Sequence, residues 1–221
     1  MTVKKILSHR IIAGRVRRAR TESRILESAL HVFAEKGPSA PVIDDFIKAA
    51  RISRGTFYNY FKSTDELLQA VSALLSDELS SSIEEEICHI EDPELKYCTA
   101  LRLWMAKAEL DRSWCSFIAK VWFEGGITHY FSDRDLGLSI KKGMFHCVST
   151  DIGTDISWGT MRQAMLRLAE DPQRHGYGDV IVRQILIGLG IQSEKLDEFM
   201  AYPLDIINID SCTFSKSHVG A

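Results

Sequence analysis

No stretch of the chain approaches the roughly 20 consecutive apolar residues that a membrane-spanning helix requires, so nothing in the sequence reads as a bilayer span. The basic start is broken by Ser8, His9 and Arg10 and lacks the apolar core of a signal peptide. Cysteine is scarce and follows no pattern. Cys88, Cys98, Cys115, Cys147 and Cys212 form an odd set without a C-x-x-C pair, which argues against a disulfide framework or a zinc site and for a reducing cytoplasm. Neither G-x-S-x-G nor H-E-x-x-H occurs, nor a phosphate-cradling glycine loop or a paired Cys/His arrangement. His31, His89 and His175 have no carboxylate or nucleophile partner at a diagnostic spacing. No enzyme activity, cofactor or metal is therefore expected. There is no internal repeat and no low-complexity tract. With 45% hydrophobic and 26% charged residues, the 221 residues have the balance of a globular protein of one large or two small domains.

Charge is unevenly placed. Residues 1–70 carry 13 Lys/Arg against 7 Asp/Glu, a net of +6, while the remainder carries 14 against 23, a net of −9. The first acid is Glu22; before it stand Lys4, Lys5, Arg10, Arg15, Arg17, Arg18 and Arg20. Clustered cations on a mildly acidic whole are a nucleic-acid footprint, because phosphate contacts release counterions. This arm is expected to follow phosphates or enter a minor groove; a basic tail that only aids solubility is the plainer reading.

Residues 51–68, R-I-S-R-G-T-F-Y-N-Y-F-K-S-T-D-E-L-L, compress two helix starts into eighteen positions. The Ser53 hydroxyl can cap one helix, and Ser63 with Glu66 makes a capping box for the next. The helix between them is about eight residues, too short to stand alone in water. It offers Arg54, Thr56, Tyr58, Asn59, Tyr60 and Lys62 outward, while Phe57 and Phe61 point to a core. A braced helix with hydrogen-bonding and basic side chains suits a DNA major groove. Two preceding segments supply the brace. Thr21 to Lys36 carries Ile25, Leu26, Ala29, Leu30 and Phe33 on one stripe and stops at Gly37-Pro38. Then Pro41, expected at a first helical position, opens a run with Val42, Ile43, Phe46, Ile47, Ala49 and Ala50. Three short helices ending in a helix-turn-helix are predicted.

The runs F-A-E-K-G (33–37), D-D-F-I-K-A-A-R-I-S-R-G-T-F-Y-N-Y-F (44–61) and S-T-D-E-L-L (63–68) resemble the DNA-binding domain of TetR-family transcriptional regulators. The resemblance covers residues 20–68 and implies a dimeric, all-α regulator whose second half binds a small molecule. Carried over by position, Ser53, Arg54, Gly55, Thr56, Tyr58, Asn59 and Tyr60 fall on the recognition helix. Tyr58 and Tyr60 take phosphate-contacting places, and Lys62 and Thr64 follow. Pro41 and Val42 replace the Thr or Ser common in the family, Arg51 replaces a turn glycine, and Thr64 replaces a lysine.

The predicted organisation is a basic arm at 1–19, the helix-turn-helix domain at 20–68, a helical effector-binding and dimerisation domain at 69–210, and a tail at 211–221. A long helix is expected from Ser63 to about His89, with further helices at Pro93–Leu110, Arg112–Phe123, 134–148, 155–170, 178–190 and 193–201. Trp104, Trp114, Phe117, Trp122, Phe123 and Phe145 read either as core or as walls of an apolar cavity for a hydrophobic or aromatic effector. Arg102, His129 and His146 are candidate polar anchors. Met161, Met165 and Leu168, with Val180, Ile181 and Ile185, lie on two late apolar helices that can pair with symmetry mates into a four-helix bundle. The expected function is a dimeric repressor released from a palindromic operator by the effector. An effector-free architectural DNA-binding protein and an all-helical enzyme are the competing classes.

Overall fold

The computed structural model describes residues 2–121, 126–171 and 174–205, the first twelve of them and 126–127 as backbone only. Trp122, Phe123, Cys212 and the tail lie outside the described residues. All regular structure among the described residues is α-helical: α1 (Thr2–Lys36), α2 (Ile43–Ala50), α3 (Arg54–Tyr58), α4 (Thr64–Glu86), α5 (Pro93–Leu110), α6 (Arg112–Val121), α7 (Gly126–Lys141), α8 (Thr150–Glu170), α9 (Tyr177–Gly188) and α10 (Ser193–Ala201). The chain divides into two compact units, Met1–Val71 and Ser72–Ala221.

In the first unit the predicted stripe of α1 is buried: Ile25, Ala29, Leu30 and Phe33 face the core. The Phe33 and Phe46 rings meet at 5.0 Å, joining α1 to α2, and Phe57 and Phe61 complete the core from α3 and its end. The helix begins at Thr2 rather than near Thr21; residues 2–20 include no proline to stop it, and the helix runs through Gly14. It ends where Gly37, at φ 79°, donates its N–H to the Phe33 carbonyl at 2.8 Å.

Pro41 does not start α2. Val42 is the N-cap, and since its side chain cannot accept a hydrogen bond, Asp45 does the capping by taking the Val42 N–H at 2.9 Å. The predicted Ser53 cap forms, with Ser53 Oγ accepting the Thr56 N–H at 3.0 Å. Ser63 Oγ likewise accepts from Glu66 N at 3.1 Å, while the Glu66 carboxylate reaches the Lys62 N–H at 2.5 Å. Helix α3 is shorter than expected, five residues, and closes with Asn59.

In the second unit α5 is the hub. It packs against α6, α7, α8, α9 and α10, and Tyr97, Cys98, Leu101, Leu103, Trp104, Met105 and Ala108 are buried around most of its circumference. Asp92 caps it through the Glu94 N–H at 3.0 Å and Pro93 follows at the first turn. Its buried charges are each paired: Glu94 with Lys195 (3.0 Å), Arg102 with Asp179 (3.0 Å) and Lys107 with Asp111 (3.1 Å). Helices α7 and α8 depart most from the predicted spans, and α7 is already helical at Gly126 rather than from 134. Helix α7 ends at Lys141 because Gly143 takes φ 69° and its N–H turns back to the Ile140 carbonyl. Helix α8 begins at Thr150 because Ser149 Oγ caps the Ile152 N–H. The glycine inside its first turns, Gly153, is a packing requirement: a Cβ there would lie 2.9 Å from Leu136 Cδ2 and 3.3 Å from Leu189 Cδ2.

Candidate nucleic-acid interface and effector cavity

Helix α3 buries Phe57 and turns the opposite side to solvent. Ser53, Arg54, Gly55, Tyr58 and Asn59 are exposed, as is Lys62 beyond its end, and Thr56, Tyr60 and Thr64 are half-buried. Not all of these side chains are equally available. Ser53 Oγ and Thr56 Oγ1 share a hydrogen bond at 2.8 Å. Arg54 leans back on Asp44 of α2 at 2.6 Å, and Tyr60 is covered by the Arg18 guanidinium, 5.4 Å from its ring centre. Tyr58 stands edge-on against Phe57 and is 48% exposed, so its hydroxyl has no need to leave water.

Because α1 extends back past Thr21, the predicted arm becomes a helical rail beside α3. Arg17, Arg18, Thr21 and Arg24 from α1 and Arg51, Ser53, Thr56, Asn59 and Tyr60 from the turn and α3 line one open cleft. Four guanidiniums and no carboxylate line it, a setting suited to phosphate oxygens. Arg20 opens instead on an adjoining groove with Arg17, Arg24 and Glu27. Thr21, Arg24 and Arg51 were not among the predicted contacts. The signal for the first two was their spacing, since 17, 21 and 24 share a helix face once the helix is known to continue. Nearby, Asp45 is held below the usual carboxylate range by its hydrogen bond from Lys36 (2.7 Å), then by the Val42 N–H, so it stays an anion.

The second unit contains a cavity between α4, α5, α7 and α8. Its apolar walls are Ile83, Ile87, Ala100, Leu101, Trp104, Phe131 and Trp158, and its polar lining is Ser80, Glu84, Tyr97, Thr128, Ser132 and Asp135. It is narrow, with a volume of about 40 Å³. Arg134 clamps both carboxylates, donating to Glu84 (3.0 Å to each oxygen) and to Asp135 (2.8 Å twice). Lys96 adds a bond to Glu84 at 2.8 Å. Burial pushes the Glu84 carboxyl up, but the hydrogen bonds from Arg134 and Lys96 overrule it and hold it below its ordinary value. Tyr97 donates to Ser157 Oγ at 2.8 Å, and burial pushes its phenol up to about 12.

Of the predicted aromatics Trp104 borders this cavity. Trp114, Phe117 and Phe145 are buried in the core behind it, with Trp114 edge-on to Trp104 at 5.5 Å and Phe145 edge-on to Tyr97 at 6.0 Å. The Trp104 and Trp114 indole N–H groups are both buried without an acceptor among the described residues, an arrangement that costs on the order of 1–3 kcal/mol for each. Arg102 does not reach the cavity; it ties α5 to Asp179 and to the carbonyls of Phe199 (3.2 Å) and Tyr202 (2.7 Å). His129 stacks on the far side of Trp158 at 5.7 Å in a separate polar cleft, and His146 Nδ1 meets the Gly190 carbonyl at 2.9 Å. Among the described residues no group of three or more His, Cys, Asp or Glu is placed to hold a metal. Burial pushes the Cys98 and Cys115 thiols up to about 12, leaving them inert near neutrality.

The late helices divide their apolar residues between two faces. Met161, Met165, Leu168 and Ile185 are buried within the subunit, Ile181 is half-buried, and Val180 is 56% exposed. Ile152 and Ile187 are exposed as well.

The class defined by this geometry is a helix-turn-helix protein with a helical companion domain. Residues 25–71, the segment that carries the helix-turn-helix, match the profile of "Bacterial regulatory proteins, tetR family". It is 35% identical over 69 residues to the uncharacterized HTH-type transcriptional regulator YvdT of Bacillus subtilis (strain 168), covering 31% of this chain and 36% of that protein. It is 34% identical over 73 residues to the HTH-type transcriptional repressor DhaR of Mycobacterium sp. (strain GP1), covering 30% and 37%. The chain thus spans about a third of the length of these curated relatives. The crystal structure of RolR in complex with resorcinol has the same fold, with a TM-score of 0.70 at 24% identity over 86% of this chain and 98% of that one. No helix among the described residues is long and apolar enough to cross a membrane.

Proposed function

We propose that the protein is a cytoplasmic, sequence-specific DNA-binding regulator that acts as a dimer, binding a palindromic operator as a repressor and leaving it when a small molecule occupies the second unit. The carrying observation is the exposed polar side of α3, lying beside a cleft lined by Arg17, Arg18, Arg24 and Arg51. Base edges are read by Thr56 and Asn59, while Tyr58, Lys62 and the arginines hold phosphates. The name of DhaR supports repression, and the resorcinol complex of RolR supports a small effector. Dimerisation rests on the outer face of α8 and α9, where Ile152, Val180 and Ile187 are exposed. A two-fold dimer places two recognition helices in successive major grooves, about 34–36 Å apart.

Helix α4 is continuous from Thr64, soon after the recognition helix in the chain, to Glu86, and it carries Ser80, Ile83 and Glu84 of the cavity lining. An effector that favours one position of this helix changes the spacing of the recognition helices and weakens DNA binding. The coupling is reciprocal, so operator DNA lowers effector affinity by the same factor. A mobility-shift titration against a library of palindromic fragments tests the reading. One fragment is expected to bind at moderate salt, Asn59→Ala to change which bases are preferred, and Tyr58→Ala to weaken every fragment alike. Failure to shift any duplex would refute it.

A further inference from the structure

The regulator reading assigns Thr56 and Asn59 to base edges and the arginines of the cleft to phosphates, and it leaves Arg54 without a part. Any role for Arg54 at the DNA rests on that reading. Arg54 opens α3, directly after the Ser53 cap, and in helix-turn-helix proteins the first side chains of the recognition helix are those that meet base edges. Arg17, Arg18, Arg24 and Arg51 share a cleft that contains no carboxylate. Arg54 stands outside that cleft and differs in its company: its Nη2 donates to Asp44 Oδ1 of α2 at 2.6 Å.

The pair is open to solvent, with 58% of the Arg54 side chain and 57% of the Asp44 side chain exposed, so it adds little to the stability of the fold. Its effect is on what the guanidinium can bind. Asp44 lies in the first turn of α2, where the helix dipole favours a negative charge. A phosphate that approaches Arg54 meets this carboxylate too, and the repulsion offsets most of the attraction. A neutral acceptor escapes that penalty. One of the five N–H groups of the guanidinium is spent on Asp44, and the planar fork keeps its other donors. Guanine is the base whose major-groove edge presents two adjacent acceptors, O6 and N7. Adenine sets an amino group beside its N7, cytosine presents an amino group, and thymine has one acceptor beside a methyl group.

We propose that Arg54 reads a guanine in each operator half-site, with Asp44 as the positioning residue that holds its fork and keeps it off the phosphates. Each half-site accordingly carries a G·C pair where Arg54 meets it, near the bases read by Thr56 and Asn59. Arg54 contributes base preference with little salt dependence, the reverse of the arginines in the cleft.

Selection of the full chain on a pool of duplexes randomised symmetrically over two half-sites tests this, followed by mobility-shift titration of the recovered duplex at three salt concentrations. Wild-type protein is expected to enrich a guanine at one position of each half-site. Exchange of one such G·C pair for A·T is expected to weaken its binding by about five- to hundredfold. Arg54→Ala is expected to bind the two duplexes within about twofold of each other and to keep the wild-type salt slope. Arg54→Gln is expected to enrich adenine at that position, because the Gln amide matches the adenine edge; damage to the fold cannot produce such a switch. Asp44→Ala frees the guanidinium, so the salt slope is expected to steepen by about one and the guanine preference to fall by about threefold or more. The proposal is overturned if Arg54→Ala retains the guanine preference, or if it lowers the salt slope by about one with every base preference intact, the behaviour of a phosphate ligand. It is overturned equally if Asp44→Ala leaves slope and preference at the wild-type values. Those results leave the regulator reading standing, whereas wild-type protein that enriches no duplex removes that reading and this inference with it.

Discussion

Arg51 adopts φ 51°, ψ 51°, the left-handed region, and is the one non-glycine residue to do so among the described residues. Its N–H and that of Ile52 return to the carbonyls of Lys48 and Ile47, ending α2 and releasing the chain toward Ser53. The family resemblance already marked this position as one where a glycine is common. Arg51→Gly is expected to raise stability by about 1 kcal/mol, measured by urea unfolding, while removing a cation from the cleft beside α3. At Glu84 the expected effect is on pH dependence. Its folded-state carboxyl lies below the ordinary 4.5, so the stability it contributes is present above that value and is lost as pH falls through the lower folded one. Glu84→Gln should therefore destabilise at pH 7, with the penalty shrinking toward zero in unfolding curves taken progressively below the ordinary value of 4.5.

Between residue and molecule, the informative element is α1. Its core stripe from Ile25 to Phe33 was legible because burial imposes a helical period. Its first half was not, since residues 2–20 show no such stripe and read as a basic arm. Continuation of the helix turns Arg17 and Arg24 onto the face beside α3. Arg17→Ala and Arg24→Ala should each lower the slope of log affinity against log salt by about one, without changing base preference. A mobility-shift series at three salt concentrations is sufficient. Helix α3 is the converse case. Its start at Ser53 was legible from a single hydroxyl, but its extent of five residues was set by how Phe57 and Phe61 insert into the core.

For the whole molecule, burial sorts residues that look alike in sequence. Met165 and Ile185 are sealed inside the subunit, whereas Val180 and Ile187 on the same pair of helices face solvent. The periodicity of α9 alone admits either face as the inner one. If the outer face pairs two subunits, Val180→Glu with Ile187→Glu should yield a monomer by light scattering. Affinity for a palindromic operator should then fall at least about tenfold, with little change in the melting of the subunit itself. A variant that stays dimeric would move the interface elsewhere.

The cavity followed the same logic. Aromatic content between Trp104 and Phe145 signalled a large apolar interior but not which rings would bound an open space. Trp114 and Phe145 close the core, while Trp158 and Phe131, from other helices, complete the wall with Trp104. What the chain's own order of residues determined was local: caps at Ser53, Ser63 and Asp92, stops at Gly37 and Asp111, the basic first third and the reading helix. These depend on hydrogen bonds and backbone preferences within a few positions. Only the tertiary structure decided which arginines share a cleft, which indole is left without an acceptor and which carboxylates are neutralised. Those outcomes depend on side chains brought together from separate helices, and no spacing along the chain encodes them.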